Sequence, residues 1–323
     1  MAKLPGLDLA TETDRICERL REATLRTLRR RGLVVAMSGG IDSSVCAALA
    51  VRALGKERVF GLLLPERDSS GASSRLGRLM AEFLDIEHAL HDISSTLAAI
   101  GCYSEQEEVL RRVLPGFGGG WKFKLAIVDL MAGRIAVTHL VAEDPAGKRY
   151  DQRLSPTDYL KIVAATNFKQ RVRKTIEYYH ADRLNYAVVG TPNRLEYDQG
   201  FFVKNGDGAA DVKPIAHLYK THVYDLARHL GLPESIVQTT PTTDTFSLAQ
   251  GQDEFYFRLP YGQMDLALWH LNEGLSAAEL AREIGCDEAT AERTYETIRA
   301  KRRTTAYLHA APILVEPVPQ VSR

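Results

Sequence analysis

The sequence lacks any excess of charge. Lys plus Arg and Asp plus Glu both number 41 in 323 residues, so the formal net charge is zero. No global basic field points to nucleic acid, and no acidic tail points to solvation alone. Cysteine is scarce, and Cys17, Cys46, Cys102 and Cys286 form no C-x-x-C pair. That excludes a zinc knuckle and a disulfide framework. No apolar run approaches the roughly 18 residues of a membrane-spanning helix. The opening stretch MAKLPGLDLATETDR has no apolar centre of signal-peptide length. A soluble, cytoplasmic protein with no membrane or nucleic-acid partner is the expectation. The nine histidines show no H-E-x-x-H spacing, and His217, His222 and His229 fit no zinc pattern. No Ser-His or Cys-His nucleophile pair stands out.

What is present is ordinary globular composition, 45% hydrophobic and 25% charged. Residues 11–31 place Ile16, Leu20 and Leu25 among charges and predict an amphipathic helix ended by Gly32. Strands are expected at 33–37, 58–65 and 86–93, alternating with helices at 44–54 and 73–85. This pattern predicts an α/β fold, a doubly wound parallel sheet with helices on both faces. From 104 to 155 the alternation breaks, and a glycine-rich inserted loop or β-hairpin element is expected. Residues 167–185 predict a helix, 186–191 a buried strand and 219–231 another helix. Residues 276–303 read as two short helices joined at Gly285. The expected division is a nucleotide domain over 1–270 and a small C-terminal helical hairpin with an extended tail over 271–323.

The chemistry starts where the first strand ends, at Ser38-Gly39-Gly40-Ile41-Asp42-Ser43-Ser44. Glycines allow positive φ and close approach, so successive N–H groups face one concavity. The following helix adds its own N–H groups and positive dipole end. Ser38, Ser43 and Ser44 add hydroxyls. The result is an anion cradle at the carboxyl end of a parallel strand. No lysine follows, so this is not the kinase-type loop whose lysine serves a transferred γ-phosphate. A cradle of this kind suits departing pyrophosphate. Asp42 reads as a Mg²⁺ ligand, because that ion takes one or two carboxylates beside phosphate oxygens. A second constellation lies at 190–220. Gly190-Thr191 ends a strand, Glu196 offers a second Mg²⁺ carboxylate, and Lys204 and Lys220 bracket a loop holding Asp207 and Asp211.

The string SGGIDSS resembles the SGGxDS signature of the N-type ATP pyrophosphatases. The resemblance sharpens to the NAD⁺ synthetase family when later motifs are added in order. These are Lys169-Gln170-Arg171-Val172-Arg173, Gly190-Thr191 with Glu196, Gly200-Phe201-Phe202-Val203-Lys204, Gly206-Asp207-Gly208 with Asp211, and Leu218-Tyr219-Lys220. The similarity covers about 33–95 and 165–265. It implies that Ser38, Gly39, Gly40, Asp42, Ser43 and Ser44 hold the ATP phosphates. It also implies that Asp42 and Glu196 hold Mg²⁺, and that Thr191, Lys220 and Thr242 contact ATP. Arg171, Lys204 and Asp211 would contact nicotinic acid adenine dinucleotide. Asp42, Lys220 and Glu196 would be the catalytic group. The implied reaction is ATP-driven adenylation of the nicotinate carboxylate, then amidation by ammonia to NAD⁺, in a homodimer.

The chain departs from the family pattern in several places. Residues 239–245 lack the usual lysine and add Asp244, and 251–265 keeps Asp253-Glu254 and the final Tyr261 and Asp265 but has aromatics after Glu254 where glycine is usual. The 104–155 segment is longer than expected, and a final HKR motif survives as Lys301-Arg302-Arg303. These changes lie on the substrate side, so a related ATP- and ammonia-dependent amide synthetase for another acid stays open. Residues 1–32 are too short for a glutaminase module, so ammonia is expected free or from a separate protein. A tRNA-modifying relative would want a basic surface or paired redox cysteines. A helix-turn-helix reading of 276–303 is weighed against a packed helical hairpin, which neutral charge favours. Phe255, Tyr256, Phe257 and Tyr261 are candidates for stacking on a base or for core packing.

Overall fold

The computed structural model describes residues 4–129, 136–239, 245–248, 250–251, 256–257 and 259–319. The first helix, α1 (Leu9–Glu22), is capped by the Asp8 carboxylate, which accepts from Ala10 N and Thr11 N. Its helical hydrogen bonding widens over Ala23–Thr27 into a π-type turn, with Leu28 N donating to Ala23 O at 2.8 Å. Arg29 then takes a positive φ of 53°. The helix thus stops short of the expected end at Gly32, because the wider turn misaligns the ladder.

β1 (Leu33–Ala36) is followed by α2 (Ile41–Leu54), β2 (Val59–Leu63), α3 (Gly71–Phe83) and β3 (Glu87–Leu90). After α4 (Ser94–Ala99) and α5 (Cys102–Val113) come β4 (Lys122–Asp129), β5 (Ala136–Glu143) and β6 (Arg149–Arg153). The long α6 (Pro156–Leu184) leads to β7 (Ala187–Val188), α7 (Arg194–Gln199), α8 (Lys220–His229) and α9 (Glu234–Val237). The chain closes with α10 (Tyr261–Asn272), α11 (Ala277–Ile284) and α12 (Glu288–His309).

The main sheet runs β3-β2-β1-β7, all parallel, with Leu33 opposite Val59 on one side and Ala187 on the other. Successive side chains of a strand face opposite ways. Leu33 and Val35 therefore pack with Ile16, Val45, Leu49, Met80 and Val223 from α1, α2, α3 and α8. Val34 packs on the other face with Phe60, Leu97, Ala181 and residues of α6. Helices cover both faces, as the strand–helix alternation predicts. The chain winds outward from β1 to β3, then returns to lay β7 on β1's opposite side. That reversal places a crevice between the carboxyl ends of β1 and β7.

The 104–155 segment differs from the expected loop or hairpin. Its first part belongs to α5, which buries Tyr103, Gln106, Val109 and Leu110. The remainder is a three-stranded antiparallel sheet, β4-β5-β6. The β5–β6 turn is tied by the Asp144 carboxylate, which accepts from Ala146 N and Lys148 N at 2.9 Å each. α6 also begins earlier than expected, where Ser155 caps it and Pro156 occupies its first turn. The C-terminal pair α11 and α12 meets at Gly285, φ +75°, and α12 continues beyond 303 to His309. Ala277, Leu280, Tyr295 and Ile298 of this pair share one apolar cluster with Leu195 and Phe257.

Candidate active site

The loop leaving β1 is shaped by one glycine. Gly39 has φ +76°, and a Cβ there would lie 2.6 Å from Leu76 Cβ and 2.7 Å from Ser73 O of α3. Only a glycine meets both demands. Gly40 then precedes α2 as its N-cap, and no side chain caps that helix. Its leading N–H groups therefore face the crevice edge without an intrahelical partner. The serines bind inward. Ser43 and Ser44 hydroxyls donate to Gly40 O at 3.0 and 2.9 Å, and Ser38 Oγ lies 3.2 Å from Ser43 Oγ.

Asp42 sits in the first turn of α2. One of its oxygens accepts from Asn193 Nδ2 at 3.1 Å, and the other accepts from the Lys220 ammonium. Lys220 is fully buried at the start of α8, while the Asp42 side chain keeps 16% exposure. Burial pushes the Lys220 pKa down, yet the carboxylates of Asp42 and Glu196 outweigh it and hold the ammonium above the ordinary lysine value. Glu196 is the converse case. Burial first, then the nearby Asp42 charge, raises its carboxyl well above the usual range. The three predicted catalytic residues are thus brought together from three elements, at the reversal point of the sheet.

The sequence alone does not single out Asn193 in this group, and it marks Asp265 only as the final Asp of the family-like stretch 251–265. Asn193 caps α7, with its Oδ1 accepting from Leu195 N and Glu196 N, while Glu196 Oε2 accepts from Asn193 N at 3.1 Å. This is a capping box, and the N-R-L-E string carries its signature. The same Asn193 amide orients Asp42. Asp265 of α10 accepts from Lys220 N at 3.1 Å and Thr221 N at 2.8 Å, which seats the start of α8. Burial raises the Asp265 pKa to about 6. The resemblance over 251–265 marks the position of Asp265 but not its role, since its partners lie far away in sequence.

Thr191 follows β7 at the same crevice, half-buried. Thr242 and Phe255 lie outside the described residues, as do 240–244 of the altered stretch. The substrate-side residues form separate contacts. Exposed Arg171 donates through Nε to Lys204 O at 3.3 Å, and Lys204 Nζ donates to Tyr307 O at 2.7 Å and Ala310 O at 3.3 Å. Asp211 lies apart from that pair and accepts from Val188 N at 2.7 Å and the Tyr178 hydroxyl at 3.4 Å. Of the aromatic candidates, Tyr261 lies 5.4 Å from Lys220 Nζ, whereas Tyr256 stacks on Phe201 at 4.5 Å. Phe257 is buried in the cluster beneath the C-terminal hairpin. Cys46, one turn after Asp42, has its thiol pKa pushed well up by burial and by Asp42 and Glu196, so it is no nucleophile. The other cysteines are free, with Cys17 and Cys102 buried and Cys286 partly open.

A model of the NAD synthase family matches residues 12–113 and 135–305. The NH(3)-dependent NAD(+) synthetase of Mesorhizobium japonicum is 58% identical over 310 residues, spanning 96% of this chain and 97% of its own. Among solved structures, NMN synthetase from Francisella tularensis has a TM-score of 0.67 at 20% identity, over 96% of this chain and 99% of that one. The NH3-dependent NAD synthetase from Campylobacter jejuni has a TM-score of 0.64 at 23% identity, over 96% and 100%. At those identities the two structures speak for the fold alone. The extent of the family match, together with a relative of this identity along nearly the whole chain, shows that the chain belongs to the NAD synthase family.

Proposed function

We propose that this chain is an ammonia-dependent NAD⁺ synthetase, a ligase that joins ammonia to the nicotinate carboxylate of nicotinic acid adenine dinucleotide. The observation that carries the reading is the union of Asp42, Glu196 and Lys220 beside the uncapped start of α2. A carboxylate does not release oxide, so it must be activated before an amine replaces its oxygen. The carboxylate oxygen attacks the α-phosphorus of ATP, and the bond to the bridging oxygen breaks with its electron pair leaving on pyrophosphate. Ammonia then attacks the acyl carbon, AMP departs with the former carboxylate oxygen, and one proton is lost.

The Gly39–Gly40 turn and the α2 N–H groups receive the pyrophosphate, and the hydroxyls of Ser38, Ser43 and Ser44 join them by rotating away from Gly40 O and from one another. Lys220, fixed by Asp265 and Asp42, supplies positive charge where negative charge develops. The residues also fit Mg²⁺. Asp42 is partly open to solvent, and Glu196 is held near it in an environment that strains its charge, a pairing that a divalent cation relieves. When bound, that ion offsets charge on the phosphate oxygens. Thr191 and Thr242 are assigned to ATP, and Arg171, Lys204 and Asp211 to the dinucleotide. Asp211 uses two of roughly four acceptor positions and is exposed, so capacity remains. The reading includes a cytoplasmic homodimer supplied with free ammonia or by a separate protein.

The test follows AMP and pyrophosphate in a screen of carboxylic acids with ATP, Mg²⁺ and ammonia. AMP formation that needs both nicotinic acid adenine dinucleotide and ammonia, and that disappears in Asp42→Ala, supports the reading. Ammonia-dependent AMP from a different acid, with none from this dinucleotide, overturns the substrate assignment.

A further inference from the structure

We propose that Lys169 is a positioning residue for ATP, through which the antiparallel β4-β5-β6 sheet braces the pyrophosphate cradle. The inference rests on the ATP-using reading above. Lys169 lies in the middle of α6, with 1% side-chain exposure. Its ammonium donates to Glu66 Oε1 at 2.9 Å, Asp68 Oδ2 at 2.7 Å and the Thr245 carbonyl at 2.8 Å. All three N–H donors are therefore committed, in three directions. The other Glu66 oxygen accepts from Tyr103 O–H at 2.9 Å and Asp68 N at 3.0 Å. A buried ion cluster of this sort adds little stability over a well-packed apolar replacement. Its distinctive property is fixed geometry between segments far apart in sequence.

Those segments lead in two useful directions. Residues 66–70 pass directly into α3, whose N-cap is Ser70. α3 is the wall against which Gly39 is pressed, at Ser73 O and Leu76 Cβ. α3 also meets the cradle's approach at Gly77, where a Cβ would lie 2.5 Å from Met37 O. Arg173, one turn beyond Lys169, adds a second tie by donating to Leu64 O at 3.1 Å and Ser69 Oγ at 3.3 Å. In the other direction, Thr245 begins a segment gripped by the edge of β4. Phe123 N donates to Ser247 Oγ at 3.0 Å, Leu248 N donates to Phe123 O at 3.0 Å, and Gln250 Nε2 donates to Leu125 O at 2.8 Å. Phe246 packs edge-on to Phe123 at 5.5 Å. A continuous series of contacts thus runs from the β4-β5-β6 sheet through Lys169 to the acidic loop, to α3 and to Gly39. This antiparallel sheet is the brace of the ATP side of the crevice.

The experiment measures KM for ATP, for the dinucleotide and for ammonia separately, together with kcat, in Lys169→Met, Lys169→Arg and the double variant Ser247→Ala/Gln250→Leu. Lys169→Met is expected to raise KM for ATP about tenfold while moving KM for the dinucleotide and ammonia less than about twofold. Lys169→Arg, which keeps the charge and several donors, is expected to recover part of that loss. The double variant keeps the buried charges intact and loosens only the sheet's grip, so it is expected to shift the ATP term in the same direction. It also answers the question if Lys169→Met does not fold. An unchanged KM for ATP in the double variant, or equal changes in all three KM values, overturns the inference. Absence of ATP- and ammonia-dependent AMP formation in the unmodified protein would instead overturn the functional reading beneath it.

Discussion

Replacing Lys220 by Met removes the ammonium while keeping most of the stem's volume. Lys220 is fully buried and Asp42 retains 16% side-chain exposure, so the variant leaves one partly buried carboxylate without its cation. Breaking a buried pair from one side costs about 3–5 kcal/mol. Here two features reduce that figure. Asn193 still donates to Asp42, and Glu196, whose pKa is already raised by burial and by Asp42, escapes by holding its proton. We therefore expect a loss below that range, about 2–3 kcal/mol. With an unfolding entropy of about 2.1 cal/mol/K per residue, a chain of this length loses about 3–4 °C in Tm. The response to Mg²⁺ separates this account from simple misfolding. In the unmodified protein the ammonium already compensates Asp42, whereas in Lys220→Met the metal takes over that compensation. Tenfold tighter Mg²⁺ binding would add about 1.4 kcal/mol of protection in thermal melts at saturating ion. On the proposed reading turnover should fall by about 100-fold or more, because the variant would lose positive charge at the departing pyrophosphate. A variant as stable as the parent, with the same Mg²⁺ increment in Tm, would refute the assignment of Lys220 as the counter-charge of Asp42.

Gly39→Ala should destabilise by about 2–4 kcal/mol, combining a left-handed backbone with overpacking against α3, and should weaken ATP binding in calorimetry. Retained ATP affinity would remove the cradle from the nucleotide site. Asn193→Ala should cost about 1 kcal/mol as a lost cap, and its kcat should fall because Asp42 loses its orienting amide. A variant with the stability loss but unchanged kcat would leave Asn193 with the cap alone. Acid stability should depend on His180. Burial first, then Arg183 and His91, lower its pKa to about 4. The unfolded chain therefore binds the extra proton between about pH 6.5 and 4, and folded stability falls as pH drops through that window. Denaturant melts at a series of pH values should show this slope, flattened in His180→Gln. An unchanged slope would assign the acid loss to other groups.

The legible parts of this molecule are those written locally. SGGIDSS is a continuous string, so its turn, its helix start and its carboxylate are visible together. The parallel sheet follows from apolar β-rich runs alternating with helices. Asn193 is legible as the first residue of a capping box, although the charges around it carry the stronger signal. Asp265 is marked only as the last residue of a family-like stretch, and its role stays hidden because Lys220 N and Thr221 N meet it only through the packing of α10 on α8. α5 was hidden by its polar content, since Gln106 occupies a buried position on its apolar stripe. β6 reads as R-Y-D-Q-R and stays largely exposed, so no period-two pattern announces a third strand. The role of Lys169 was equally invisible, because its three acceptors come from separate parts of the chain.

The distribution of thiols has a practical consequence for watching this protein at work. Cys17, Cys46 and Cys102 are enclosed, and burial raises the pKa of each. Cys286, at the junction of α11 and α12, is the partly accessible one. A maleimide dye added to the native protein under mild conditions should therefore select that junction without any cysteine being engineered away. The dye would sit on the helical pair whose Lys301 holds the Tyr256 carbonyl at 2.6 Å. Its emission would give an optical record of motion in the C-terminal hairpin as each substrate is added, in a molecule whose catalytic machinery carries no label.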